Sequence, residues 1–138
     1  MTDQYAHHGG VPVRGLRGYL CAVAAELGMT GDDACAESGP PASAHLAVRG
    51  HLSSFPDRAV VLVWDEEYGW AAAVGIEQED DLVVLTYLGD EVLPPAASVA
   101  AFTRALLRGE HPGDPRPIRL RAVGDPDDLG DRLSRYAS

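Results

Sequence analysis

The apolar positions in the middle of the chain follow the short period of β-strands. Residues 44–52 alternate strictly between apolar and polar or small side chains. Residues 60–64 and 82–88 are apolar on both sides, which is typical of strands in the interior of a sheet. Short polar connections separate these segments from one another and from residues 70–76. The pattern therefore predicts an antiparallel meander of four strands.

The segment 58–76 is predicted to be a β-hairpin around which the rest of the chain is organised. Its polar connection, residues 65–69, ends in Gly69, which can adopt the positive φ that hairpin turns often need. Two sets of side chains alternate in the second arm. The first set is Trp70, Ala72, Val74 and Ile76, and the second set is Ala71, Ala73 and Gly75. The first set thus fills one face of the strand with larger side chains. The small residues of the second set allow a neighbouring part of the protein to approach the other face closely.

Helical periods flank the strands. Residues 13–27 carry an apolar stripe at three- and four-residue intervals, followed by Gly28 as a stop. Residues 94–109 begin with a proline pair suited to a first helical turn and continue with a second apolar stripe. Residues 125–136 have acidic residues at the start and arginines near the end, which predicts a short C-terminal helix.

Two further segments are candidates for short elements. Ile118 and Leu120 alternate with arginines after Pro117, which predicts a fifth strand at an edge of the sheet. The connection 29–43 is predicted to be irregular, with room for a short strand or a helical turn at residues 34–37.

Together these elements predict an α+β fold. It consists of an antiparallel meander of four strands and a candidate fifth, with the two main helices on one face and a short C-terminal helix. Residues 1–12 are polar, end in glycine and proline, and are predicted to form a flexible N-terminal tail. Residues 13–138 are predicted to form a single domain, which is long enough to bury its own core.

The charge of the chain limits the classes of partner. The sequence has 11 basic residues, all arginine, against 21 acidic ones, for a net charge of −10. This acidity argues against nucleic-acid binding, which needs a basic patch. Arg116, Arg119 and Arg121 form a small basic strip, which we interpret as solvated charges on an edge strand.

The sequence predicts a cytoplasmic protein with reduced thiols at Cys21 and Cys35. The N-terminus is polar and lacks the apolar core of a signal peptide. No run approaches the ~18 apolar residues of a membrane span, so no membrane partner is expected. Cys21 falls in a helical pattern, which favours a small buried hydrophobe over a nucleophile.

No motif for catalysis or metal binding is present. His45 and His51 are expected on one face of the same strand, about 20 Å apart at ~3.3 Å per residue, which is too far to ligate one ion. Residues 65–67 are acidic but lack the ligand spacing of a calcium loop, so a solvated turn is the better interpretation. Phosphate-binding loops, paired cysteines and nucleophile elbows do not occur. We therefore predict no cofactor, no metal and no catalytic residue, and favour a non-enzymatic role.

Aromatic residues bracket the predicted hairpin turn. Trp64 and Trp70 are expected to pair across the two strands, an arrangement worth up to ~1 kcal/mol. The alternative is that these rings form a platform for a ligand. The candidate ligand or interface residues are Trp64, Tyr68, Trp70, Tyr87, His45 and His51.

Several of these segments also carry a family resemblance. They are Tyr19-Leu20 with Val23 and Leu27-Gly28, then Phe55-Pro56-Asp57-Arg58, Trp64-Asp65-Glu66-x-x-Gly69-Trp70-Ala71, Leu88-Gly89, and Pro94-Pro95 with Val99 and Phe102. Over residues 13–109 the chain resembles a family of small actinobacterial proteins of unknown function, and the segment 64–71 is the most specific part. The resemblance implies an actinobacterial cytoplasmic protein. It implies no activity, since none is assigned to the family.

These observations support two main hypotheses about function. The favoured one is a non-enzymatic binding or regulatory module that acts through contact with an unidentified protein partner. The alternative is a small-molecule-binding domain or an unrecognised enzyme, with a pocket between sheet and helices lined by Trp70, Tyr87 and a strand histidine. A third hypothesis, an acidic mimic that occupies a nucleic-acid-binding partner, depends on net charge alone.

A homodimer through the sheet follows from counting apolar faces. Two strands carry apolar residues on both sides. We expect one set to be Val61, Val63, Val83, Leu85 and Tyr87, and the other to be Val60, Leu62, Trp64, Leu82, Val84 and Leu88. Two helices cover only one face, and a bare second face would exceed the ~300–600 Å² of a monomer's largest apolar patch. Either the C-terminal helix or a second subunit covers it, and the narrow stripe of that helix favours the subunit.

Overall fold

The computed structural model describes residues 11–32, 34–37, 39–75, 82–89, 91–123 and 127–136. Its strands form one antiparallel sheet in chain order. They are β1 (Ala34–Glu37), β2 (Ser43–Val48), β3 (Val60–Asp65), β4 (Gly69–Gly75) and β5 (Leu82–Tyr87). The helices are α1 (Val13–Glu26), α2 (Ala96–Leu107) and α3 (Leu129–Ser134). The predicted α+β meander is confirmed.

The fifth strand is formed by residues 34–37, before the four predicted strands. It is not formed by the C-terminal segment around Ile118 and Leu120, where we predicted it. Residues 34–37 form β1 and pair with β2, with Cys35 opposite His45. Residues 117–120 are irregular. The reason is that the backbone N–H groups of Leu120 and Arg121 both donate to the carbonyl of Glu67 in the hairpin turn.

The hairpin of β3 and β4 has the predicted turn and the predicted faces. Trp64 lies opposite Trp70, and Gly69 closes the turn with φ +71°. One side of both strands is buried in the main core, whose members here are Val60, Leu62, Trp64, Trp70, Ala72 and Val74. We call this side the core face and the opposite side the outer face. Ile76 falls outside the described residues, as does the predicted tail up to residue 10.

A β-bulge changes the predicted faces of β5. Val83 pairs with Val74 and Val84 with Ala73, but beyond Leu85 the register shifts and Thr86 pairs with Ala72. Directly paired residues share a face, so Leu82 and Val84 lie on the outer face and Val83 does not. The prediction that grouped Val83 and Leu85 with Val61 was wrong because it assumed an unbroken two-residue period.

All three helices contribute side chains to the core cluster, which places them on the core side of the sheet. The short helix α3 packs directly on α1. A Cβ atom added at Gly15 would lie 2.2 Å from the backbone oxygen of Leu133, and one at Gly18 would lie 1.8 Å from that of Tyr136. The two glycines thus permit the close approach of α3. Within the described part of the chain, no helix is long and apolar enough to cross a membrane.

Candidate functional site

The two tryptophans of the hairpin lie inside the core. Each is only 1 % exposed. The indole N–H of Trp64 donates to the carbonyl of Val92 at 2.6 Å, and that of Trp70 donates to the Tyr19 hydroxyl at 3.1 Å. The same hydroxyl donates to the carbonyl of Pro94. These rings therefore form part of the packed interior.

Burial also affects the chemistry of Tyr19. Loss of solvent raises the pKa of its hydroxyl, and the hydrogen bond from Trp70 offsets only part of this rise. The hydroxyl stays protonated, so it can accept from Trp70 and donate to Pro94 at once. It links the hairpin to the segment that leads into α2.

The outer face is apolar and has no helix packed on it among the described residues. The row Cys35, His45, Val63, Ala71 and Tyr87 crosses the sheet in register. The next row is Ala47, Val61, Ala73 and Val84. At its β5 border, Leu82 is 41 % exposed and Val84 is 39 % exposed. The described part of the C-terminal helix, which we considered as a cover for this face, lies on the other side of the sheet.

Three of the predicted site residues meet on the outer face. His45, Tyr68 and Tyr87 line a concavity of about 290 Å³ whose floor contains Gly69 and Ala71. The rings of Tyr68 and Tyr87 have their centroids 6.4 Å apart. The small floor residues and the larger walls make a depression that a protruding side chain can enter.

His51 does not join this group. Strand β2 ends at Val48, and His51 is exposed in the connection beyond it. The expectation that both histidines lie on one strand was wrong, because Gly50 has φ +114° and turns the chain away from the strand direction. Among the described residues, no group of three or more His, Cys, Asp or Glu side chains could hold a metal ion.

The acidic turn of residues 65–67 is not simply solvated. Glu66 is 2 % exposed, and its Oε2 accepts from Arg121 Nη1 at 2.6 Å while its Oε1 accepts from the Ala42 N–H at 2.8 Å. Glu67 binds Arg119 at 2.6 Å. Asp65 instead accepts from the N–H groups of Glu67 and Tyr68 through its Oδ1. The turn is therefore held by the C-terminal segment.

Arg121 is the buried member of the predicted basic strip. Its guanidinium also binds Asp127 at 2.7 Å. Burial alone would lower the pKa of Arg121, but hydrogen bonds to Asp127 and Glu66 outweigh it and raise the pKa. Burial likewise opposes ionisation of Asp127, yet the hydrogen bond from Arg121 holds the pKa of Asp127 below its usual value. The interpretation of the strip as solvated edge charges is thus wrong for Arg121.

One signal for this pairing is present in the sequence. The acidic run at 65–67 and the arginines at 119 and 121 have opposite charge, and each is unusually dense for its segment. Pairing across more than 50 positions is not a local pattern, so periodicity alone could not reveal it. Only the two charge clusters together suggested it.

A second and larger depression lies away from the predicted site residues. Its volume is about 480 Å³, and its apolar walls include Leu52, Phe55, Leu85 and Leu106. His111 lies at its border. The predicted pocket between sheet and helices, lined by Trp70 and Tyr87, does not match this cleft, because those two rings lie on opposite faces of the sheet.

Comparison with known proteins gives one match. The model of a family described as "Family of unknown function (DUF6292)" matches residues 19–105, which is more than half of the chain. No curated protein and no solved structure matches. The match includes the hairpin with its acidic turn, and it stops before Arg119 and Arg121.

Proposed function

The chain belongs to this family of unknown function, and we propose that it is a non-enzymatic binding or regulatory module that acts through protein–protein contact at its outer face. The open apolar outer face is the observation that carries this proposal. An actinobacterial source and a cytoplasmic location remain predictions from the sequence.

The composition of the outer face favours contact with a protein surface. Its accessible apolar side chains are the half-buried Val61, Val63 and Tyr87 and the exposed Val84. Ala71 and Ala73 lie between them and are already buried within one copy. Contiguous apolar surface of this kind is unfavourable in water and marks interaction sites on soluble proteins. Aromatic residues are enriched at such contacts, and Tyr68 and Tyr87 border the concavity.

We propose a second copy of the chain as the occupant of this face, which makes the protein a homodimer through the sheet. Two sheets can pack face to face with their strands nearly aligned, about 10 Å apart. A two-fold axis brings the same patch of both copies together, so an apolar face is complementary to itself.

Sedimentation equilibrium at micromolar concentration tests this proposal. We expect a mass near twice the 14.6 kDa of one chain. Val63→Glu places a charge at the centre of the face and should give a monomer with an unchanged far-UV spectrum. Ser98→Glu, at an exposed position on α2, is the matched control and should remain dimeric. A wild-type protein that sediments as a monomer would overturn the homodimer.

The 480 Å³ cleft favours a second candidate function, a small-molecule-binding domain. Its volume lies in the usual ~300–1,000 Å³ range of ligand pockets, and its walls are mainly apolar. A neutral fluorescent probe, N-phenyl-1-naphthylamine, should bind there if this function is real. Ser54→Trp should fill the cleft and remove that binding, whereas Val63→Glu should not. Equal binding to wild type and to Ser54→Trp would count against the cleft.

A further inference from the structure

Charged residues of opposite sign lie at the two ends of β2 and its neighbouring strands. At the end next to the hairpin turn, Glu37, Ser43 and Asp65 lie side by side in register on β1, β2 and β3. At the other end, Arg49 follows Val48, the last residue of β2, and is exposed.

Within the part of the chain that the structure describes, these charges have no ion-pair partner in the same copy. Among the described residues, Glu37, Asp65 and Arg49 form no ion pair, in contrast to the neighbouring Glu66 and Glu67. Ser43 and Arg49 are six positions apart, or about 20 Å at ~3.3 Å per residue, so Arg49 cannot reach the acidic row of its own sheet. Glu37 and Arg49 are exposed. Asp65 Oδ1 accepts from the N–H groups of Glu67 and Tyr68, so a partner would contact its Oδ2.

We propose that the two copies of the dimer pack outer face to outer face with their strands running in opposite directions, so that Arg49 of each copy pairs with the partner's Glu37 and the partner's Asp65. This proposal rests on the proposed function, since it names the geometry of the same contact. It makes the outer face complementary to itself in charge as well as in apolar surface.

The charges distinguish between two possible symmetry axes. An axis parallel to the strands would place the acidic row of one copy against the acidic row of the other, and like charges that face each other across an interface are strongly disfavoured. An axis that lies in the interface and crosses the strands reverses the order of the rows. Strand β2 of one copy then lies opposite β2 of the other. Arg49 is thereby brought over the partner's Glu37 on β1 and the partner's Asp65 on β3.

The apolar rows fit the same arrangement. A two-fold axis that crosses the strands places the row of His45, Val63 and Ala71 in one copy against the row of Ala47, Val61 and Ala73 in the other. Ala71 and Ala73 then lie at the centre, and because both are already buried within one copy, the contact is made by the larger side chains around them, such as Val61 and Val63. Leu82, which lines the concavity of its own copy at the end away from the hairpin turn, is brought toward the aromatic end of the partner's concavity.

Charge reversal and its rescue test the proposal with the full chain. At low ionic strength, Arg49→Glu and Glu37→Arg should each weaken dimerisation by at least about tenfold, measured by sedimentation equilibrium. The double variant Arg49→Glu/Glu37→Arg restores opposite charges at one of the two contacts and should dimerise more tightly than either single variant, although position 49 then has the same charge as the partner's Asp65. Arg14→Glu, at an exposed position on α1, is the control and should have no effect. Far-UV spectra check that each variant folds.

The outcomes separate this geometry from the dimer itself. If Val63→Glu gives a monomer while Arg49→Glu dimerises like wild type, the outer-face contact stands and the crossed arrangement is wrong. If each single reversal weakens the dimer but the double variant does not recover, the direct pairing is wrong. If the effect of Arg49→Glu shrinks in high salt, as screening requires, the pairing is supported.

Discussion

The two faces of the sheet differ in how completely their side chains are covered and paired by other parts of the same chain. On the core side, three helices cover the strands, both indole N–H groups have acceptors, and the buried Glu66 has Arg121 as its partner. On the outer side, Val61 and Val63 are half-buried, and Glu37 and Arg49 form no ion pair among the described residues. The faces do not differ at β5, where Val83 on the core side is as exposed as Leu82 and Val84 on the outer side. Ala71 and Ala73 are buried although they lie on the outer side. The strands that build both faces are the same.

Under the proposed dimer, this difference separates the contacts that belong to folding from those that are left for association. Adjacent residues of the acidic turn illustrate it, because the side chain of Glu66 is enclosed by the C-terminal segment while Asp65 borders the concavity of the outer face. A charge that loses its water needs a partner within the fold. A charge that remains hydrated needs no partner within the fold.

The largest expected effect comes from removing a charge partner on the closed side. Arg121→Met leaves the buried carboxylate of Glu66 without its guanidinium and should lower the free energy of unfolding by about 3–5 kcal/mol. Arg119→Met removes the more exposed pair with Glu67 and should cost only about 0.2–1 kcal/mol. Urea denaturation of both variants gives the comparison. Equal losses would show that the burial of Glu66 does not govern its pairing.

The hairpin turn offers a second contrast, between a crowded and an open glycine. Gly69→Val should cost at least about 2 kcal/mol, because a β-branched residue resists positive φ. A Cβ atom there would also lie 3.1 Å from Leu120 Cδ1. Gly89 has nearly the same φ, +72°, with no atom within 4 Å of its Cβ position, so Gly89→Val measures the strain alone. Thermal unfolding should show the larger loss for Gly69→Val, and the reverse order would place the crowding elsewhere.

Tyrosine hydroxyls distinguish the faces at a smaller scale. Tyr19→Phe leaves the Trp70 N–H and the Pro94 carbonyl without their buried partner and should destabilise the fold by about 1–3 kcal/mol. Tyr87→Phe on the outer face should change stability by no more than about 0.5 kcal/mol. Chemical denaturation measures both. A loss for Tyr87→Phe that matches Tyr19→Phe would mean that the outer face is part of the core.

The smallest effects are expected for the histidines. His45→Ala and His51→Ala remove exposed side chains and should each shift stability by less than about 0.5 kcal/mol. The two differ in position, because only His45 lines the concavity. His45→Ala should therefore alter the dimerisation constant and His51→Ala should not. Stoichiometric zinc or nickel in the purified protein, lost in either variant, would contradict the prediction of no metal.

Periodicity predicted those parts of the fold that local sequence controls. The helices, the order of the strands and the positive φ of Gly69 follow from spacing and turn chemistry, and the structure confirms them. The register of β5 did not follow, because one extra residue at Leu85 reverses the sides and leaves no mark in an apolar run. The partner of Glu66 did not follow either, since it lies 55 positions away.

The candidate site was predicted in part for similar reasons. His45, Tyr68 and Tyr87 meet on the outer face, as residues that alternate along paired strands can. Trp64 and Trp70 turned inward with the bulky set of the hairpin, which the alternation already indicated. The sequence allowed two interpretations of Trp64 and Trp70, a ligand platform at the surface or bulky side chains in the core. The helices that cover the core face distinguish between them.

The close approach of α3 to α1 has a consequence for architecture at a larger scale. Val11 is buried in the core, and Tyr136 lies over Gly18, so the described chain leaves the fold at both ends on the helical side. In a dimer formed through the outer face, Val11 and Tyr136 of the two copies would lie on two opposite flanks, as the attachment points of a bivalent scaffold do. Two weak recognition elements held in this way would act with the avidity of a linked pair.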